Sequence, residues 1–252
     1  SARRRPAQVW NVPHVEPLEP TRIGEVVWLE PFPDTLLEDV IDVPLGPEAR
    51  YEQAESISLA FVTALQILPP RQLAVLILRD VLGFPANEVA EMLESTVESL
   101  NSALKRARAS LQRQQPTTER PTPPPAWDSR SERTTLAKFV AAWERADVDA
   151  VVALLTDDAF ISMPPIPLEY QGRAVVARFC ANIFDAGRRF KLVPTRANGQ
   201  PAFGTYLRGP GGISHGVGLF VLTLADDRIC AMTRFENSVL PSFGLPRSLP
   251  IL

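Results

Sequence analysis

Cysteine is nearly missing: Cys180 and Cys230 are the only two in 252 residues. Two thiols cannot build a disulfide framework, so they are expected as reduced, buried side chains of a cytoplasmic protein. No apolar run approaches the roughly 20 residues needed to cross a bilayer, which argues against a membrane partner. The start, SARRRPAQVW, has basic residues without an apolar stretch behind them, so no signal peptide is expected in it. Beginning at Ser1 rather than Met, the chain reads as a fragment or a processed product. An excess of positive charge is also lacking, with 26 Lys and Arg against 29 Asp and Glu. A net charge of −3 rules out a uniformly basic coat, so any contact with DNA must come from a local patch. Nothing in the chain calls for a metal or a cofactor.

What is present is enough apolar material, 45% of residues, for two domains. Residues 1–47 hold eight prolines and the acids Glu16, Glu19, Glu25, Glu30, Asp34, Glu38, Asp39 and Asp42, the composition of an extended acidic linker that buries little. Its exception is VVWLEPFP, where Trp28, Leu29 and Phe32 offer apolar anchors for an interdomain contact. From about Glu48 the apolar period becomes 3.6, with Ile57, Ala60, Phe61, Ala64, Leu65 and Leu68 on one face. Prolines and Gly83 then punctuate further helices, and residues 48–114 are expected as a bundle of four. Residues 115–131 are a proline-rich linker too polar to fold.

Within that bundle, Glu88 to Leu111 has the pattern of a helix-turn-helix. Ala90 is small enough for close approach, and Leu100 is the apolar contact from the second helix. Val97, Leu104, Ala107 and Leu111 continue its inner face. Ser95 with Glu98, or Thr96 with Ser99, can cap that helix. Its polar face would carry Thr96, Glu98, Ser99, Asn101, Ser102, Lys105, Arg106 and Arg108, the side that a recognition helix offers to the major groove. Asn101 can read a base edge, while Lys105, Arg106 and Arg108 can hold phosphates. Glu94 occupies the turn position where glycine is favoured, at a cost on the order of 1 kcal/mol if left-handed. A plain amphipathic helix with a solvated charged face has the same pattern.

Residues 132–252 change texture. Two helices, a strand (AFISMPP), a third helix and four strand-like runs follow, broken by Asn198-Gly199, Gly209-Pro210-Gly211-Gly212 and Asp226-Asp227. The order predicts an α+β domain with helices on one face of a curved antiparallel sheet.

The stretch LPPRQLAVLILRDVLGFPANEVAEMLESTVESLNSALKRARASL resembles the promoter −35-binding region of extracytoplasmic-function sigma factors, in the sigma-70 family. VVWLEPFPDTLLE and GPEARYE upstream, with SMPP, RANGQPAFGTYLR and FGLP downstream, are similar to a subgroup carrying a C-terminal SnoaL-like domain, a cone with a pocket at its open end. The resemblance implies two partners, the −35 element of promoter DNA and core RNA polymerase, with the acidic linker threading towards the polymerase active centre. It implies a preceding promoter-melting domain too. SARRRP resembles only the tail of that domain, so residues 1–252 alone are not expected to start transcription. Many relatives are basic where this chain has Asn101 and Ala103, and residues 48–115 hold eight acids against seven bases. Polymerase must therefore supply affinity.

Relatives in the cone fold include isomerases, cyclases and epoxide hydrolases, so the fold alone does not decide between enzyme and sensor. Catalysis there needs paired inward acids or a His with an acid, and few are on offer. His215 has no acid at an obvious pairing position, and Glu236 stands near Arg234 in the strand alternation. Apolar candidates are plentiful, and Trp143, Met163, Tyr170, Phe179, Tyr206 and Phe220, with His215, Arg234 and Glu236, are the expected lining for a small apolar ligand. No catalytic residue is expected. The favoured reading is a sigma factor regulated by its C-terminal domain through interdomain contact or ligand binding. A helix-turn-helix regulator with a ligand-sensing cone, and a SnoaL-like isomerase, cyclase or hydrolase, are the alternatives.

Overall fold

The computed structural model describes residues 18–24, 29–38, 62, 66, 68–114 and 128–250. They fall into two compact units, residues 34–117 and residues 1–33 together with 118–252. The first expected helix of the bundle lies outside the described residues, apart from helical positions at 62 and 66.

In the helical unit, a short helix α1 (Thr35–Glu38) precedes α2 (Pro70–Leu76), which starts with Pro70 in its first turn, where a missing N–H costs nothing. The chain then widens into a π-helical turn, Ile77–Val81, closed by the Leu82 N–H donating to the Ile77 carbonyl at 2.9 Å. Gly83, at φ 70°, stops it. Helix α3 (Ala86–Met92) begins after Pro85, and α4 (Val97–Gln114) follows a tight turn. Glu94 takes φ 48° in that turn, so a non-glycine residue does carry the left-handed position. Thr96 caps α4, its Oγ1 accepting from the Ser99 N–H at 3.2 Å. Ser95 is taken up elsewhere, its Oγ accepting from the Arg71 guanidinium at 2.6 Å.

Helix α4 buries Leu100, Ala103, Leu104 and Ala107 against Val75, Leu76, Val89 and Ala90. One sequence expectation needs correction: Val97 is 41% exposed, because the first turn of α4 overhangs the small core. Ala103, where many relatives are basic, is 3% exposed and faces the core.

In the second unit, α5 (Arg130–Arg145) is capped by Ser129 and α6 (Val148–Val152) by Asp147. Strands β2 (Leu155–Met163) and β3 (Ile166–Gln171) form a hairpin, and α7 (Arg173–Asp185) follows. The meander β4 (Phe190–Ala197), β5 (Gln200–Arg208), β6 (Ser214–Ala225) and β7 (Arg228–Phe235) turns at the breaks named above. A 3-10 segment, Asn237–Phe243, and β8 (Ser248–Leu249) complete it.

The sheet order is β1-β3-β2-β7-β6-β5-β4, where β1 is Arg22–Ile23 from the N-terminal segment. The sheet is mixed, since β2 runs parallel to β7, whereas the other described pairings are antiparallel. Tight turns force antiparallel neighbours only inside the hairpin and the meander. The longer link through α7 leaves the direction of their junction open. Helices α5, α6 and α7 fill the concave face, with Phe139, Trp143, Val151, Val176, Phe179 and Phe184 against Ile161, Leu192, Phe203, Phe220, Leu222 and Met232.

Candidate functional site

All eight side chains expected at DNA stand exposed on α4 or its cap: Thr96, Glu98, Ser99, Asn101, Ser102, Lys105, Arg106 and Arg108. Three turns of helix thus present polar groups outward while the opposite stripe is closed by the core. They are not electrostatically equal. Arg108 is held by Asp80 of the π-helical turn in a bidentate pair, Nε to Oδ2 at 2.9 Å and Nη2 to Oδ1 at 2.7 Å. That partner raises the pKa of the guanidinium and occupies donors that a phosphate would need. Lys105 and Arg106 make no ion pair among the described residues, which leaves them as the free cations of this face.

The second unit holds the remaining expected residues. Trp143, Met163, Tyr170, Phe179 and Phe220 are at most 5% exposed and belong to the concave core. Their rings pack on one another, with Trp143 centred 5.0 Å from Phe220 and 5.1 Å from Phe184, and Tyr170 4.9 Å from Phe179. Tyr206 lies beside Gly216 and Leu240 and donates its hydroxyl to the Pro246 carbonyl at 2.8 Å. Alternation along β5 sends Leu207 to the core and Tyr206 to the other face, so it cannot share a site with Trp143.

His215 is exposed, and its side chain has no hydrogen bond or ion pair among the described residues. Glu236 is exposed and makes no ion pair with Arg234 within the described structure, acting on it only through its field. Arg234 itself turns onto the concave face and donates to the Val217 carbonyl at 2.8 Å. A cavity of about 300 Å³ opens at Gly216, Asn237, Ser238, Leu240, Pro241 and Arg247, none of which was an expected ligand residue.

Sequence reasoning expected an interdomain contact at VVWLEPFP but missed the hydrogen bonds that tie residues 18–24 and 32–33 to the sheet. The Thr21 N–H donates to the Glu169 carbonyl at 2.9 Å, the Gly24 N–H to the Pro167 carbonyl at 2.8 Å, and Arg22 pairs with the Glu169 carboxylate at 2.6 Å. Tyr170 donates its hydroxyl to the Leu18 carbonyl at 3.1 Å. Further along, the Phe32 N–H donates to Oδ1 of Asn198 and the Asn198 N–H returns a bond to the Phe32 carbonyl, both at 2.9 Å. Pro31 and Pro33 are buried, and Pro33 bridges Ala197 of β4. Proline has no N–H to satisfy, so it packs on a sheet edge without loss. Of the expected anchors, Leu29 is half-buried, the Phe32 side chain is 41% exposed, and Trp28 lies outside the described residues. The one available signal was Asn198-Gly199, a turn whose left-handed Asn (φ 54°) presents its Oδ1 to the Phe32 N–H.

Residues 58–111 match the family model described as Sigma-70, region 4, and residues 136–232 match the SnoaL-like domain. The chain joins a sigma-70 region 4 domain to a SnoaL-like domain. It is similar to the ECF RNA polymerase sigma factor SigG of Mycobacterium tuberculosis, in strains CDC 1551 and H37Rv, at 39% identity over 229 residues. That match spans 89% of this chain and 60% of the relative's length. A crystal structure of the extracytoplasmic function sigma factor SigJ from the same organism aligns at a TM-score of 0.59 and 20% identity, covering 88% of this chain and 77% of that one. This likeness bears on fold alone. In the region 4 domain the matched span includes α2, α3 and most of α4. In the SnoaL-like domain it includes Trp143, Arg188 and Asn198 but ends before Arg234. Among the described residues, no helix is long and apolar enough to cross a membrane.

Proposed function

We propose that the chain acts as an extracytoplasmic-function sigma factor, with α4 placed on the promoter −35 element, core RNA polymerase as its partner, and the SnoaL-like domain regulating it through contact or ligand binding rather than by catalysis. The outward polar face of α4, inside a matched region 4 domain, carries this reading. A footprint on promoter DNA tests it: residues 1–252 with core polymerase protect the −35 region, and without polymerase they do not. Equal protection without polymerase would identify an ordinary helix-turn-helix regulator instead.

The Asp80–Arg108 pair gives a finer expectation. Asp80→Asn frees Arg108 for phosphate, so the log–log salt slope of promoter binding steepens by about one. Arg108→Ala leaves the slope as in the wild type. An anisotropy titration across a salt series measures both, and a flattened slope in Arg108→Ala would show that DNA outcompetes Asp80. Stability is not at stake, since an exposed pair of this kind is worth about 1 kcal/mol or less.

Regulation follows from the docked segment. On the sigma reading this acidic stretch must extend towards the polymerase active centre, and it cannot do so while bonded to Glu169, Pro167 and Asn198. Asn198→Ala removes the acceptor for Phe32 and puts alanine, which tolerates the left-handed region less well than asparagine, in the turn, loosening the segment by about 1–2 kcal/mol. Chymotryptic cleavage after Leu29 is therefore expected to quicken several-fold, with promoter occupancy in the presence of core polymerase rising in parallel. Unchanged cleavage would show that Asn198 does not hold the segment.

A further inference from the structure

The first turn of α5 is tied to the same β-turn that holds the N-terminal segment. Glu132, whose side chain is 6% exposed, accepts from Nη1 of Arg196 at 2.6 Å. Arg196 donates through Nη2 to the Gly199 carbonyl at 3.0 Å, so one guanidinium spans the helix and the β4–β5 turn. Asn198 of that turn exchanges two hydrogen bonds with Phe32. A continuous path therefore runs from Glu132 through Arg196, Gly199 and Asn198 to Phe32.

The start of α5 is built to hold Glu132 in place. Ser129 caps the helix, its Oγ accepting from the Glu132 N–H at 3.1 Å. Beyond the first turn the helix has anchors of its own. Thr135 donates to the Asp227 carbonyl at 2.9 Å, and Glu144 accepts from the Leu192 N–H of β4 at 3.0 Å. The first turn can thus unwind while the rest of α5 stays on the sheet. It is also the first helical turn after the proline-rich connection from α4, so strain along that connection reaches Ser129 and Glu132 before the core. A carboxylate as little exposed as Glu132 is held by its partner, and separating the two leaves desolvated charges.

We propose that the first turn of α5 is a latch on the N-terminal segment. While Ser129 caps it, Glu132 and Arg196 keep the Asn198-Gly199 turn in the shape that binds Phe32. Unwinding it by a pull from the connection withdraws Glu132, loosens the turn and releases Phe32. Glu132 and Arg196 are positioning residues, acting on the segment through Asn198. The latch deepens the regulation proposed above and rests on it only for its purpose.

Amide hydrogen exchange of residues 1–252, read by NMR without polymerase or DNA, is the test, since exchange from a local opening follows its population. A failed latch would leave the docked segment and its release by polymerase standing. Glu132→Ala should quicken exchange at the Phe32 and Asn198 amides about tenfold, as loss of one charge-assisted hydrogen bond implies. The Thr21 and Gly24 amides, bonded to β3, should keep their rates. Ser129→Ala removes the cap and mimics the pull, so it should quicken the same two amides about fivefold. Added to Glu132→Ala it should change nothing further at Phe32 and Asn198, because the latch is already open. Unchanged exchange at Phe32 and Asn198 would overturn the latch. So would equal quickening at Thr21 and Gly24, which marks general loosening, or effects of the two substitutions that multiply. If Glu132→Ala does not fold, the outcome for Ser129→Ala at the four amides decides alone.

Discussion

Replacing Lys105 and Arg106 together with alanine is expected to lower promoter affinity on the order of 50-fold at 0.1 M salt and to flatten the log–log salt slope by about two. They are the two cations of the outward face of α4 that no described acid holds, whereas Arg108 is bound to Asp80. Each phosphate they neutralise releases condensed counterions, so their loss weakens binding across sequences rather than at one base. Asn101→Ala should behave differently, leaving the slope alone and relaxing preference at one base position by about 1–3 kcal/mol. Anisotropy titrations with core polymerase from 0.05 to 0.3 M salt, as a rough working range, separate the two behaviours. A double variant with the wild-type slope would mean that this face does not meet the phosphates, and the sigma reading would have to seek its DNA contact elsewhere.

Trp143→Ala is expected to destabilise the SnoaL-like domain by about 3–5 kcal/mol. The side chain is 1% exposed and contacts Phe139, Phe184, Phe190 and Phe220, so truncation leaves a void that four neighbouring rings cannot all collapse into. Urea unfolding of the variant should show an early transition for the second unit while the region 4 transition stays in place. Docking of the N-terminal segment should be lost in that same early step, because its partners Glu169 and Asn198 belong to the unit that unfolds. Near-normal stability, with new affinity for an apolar ligand, would instead mark Trp143 as the wall of an open pocket.

Much of the helical unit was legible because local rules settle it. The 3.6 period of Leu100, Leu104 and Ala107 placed the inner stripe of α4, and prolines and Gly83 set the breaks. Two caps were available to α4, and the choice was tertiary: Arg71, from another helix, claims Ser95, so Thr96 does the capping. Asp80 and Arg108 are 28 residues apart, and no periodicity announces their pairing. The α+β order and the meander followed from turn chemistry. Strand β3 (IPLEYQ) has weak alternation and two neighbours to satisfy, so it escaped notice, as did the parallel junction of β2 with β7. The pocket reading went astray for a related reason. Composition counts aromatics, but only strand parity assigns them to a face, and parity separates Tyr206 from Trp143.

The N-terminal segment touches the sheet at both of its margins, β1 along β3 on one side and Pro33 against β4 on the other. A strand margin with unpaired backbone groups is a template for a second chain. Undocking residues 18–33 would therefore bare the β3 margin and release the one β4 position, Ala197, that Pro33 bridges. A state that frees the segment for another task would then expose a strand margin to a second chain, and self-association would rise with concentration.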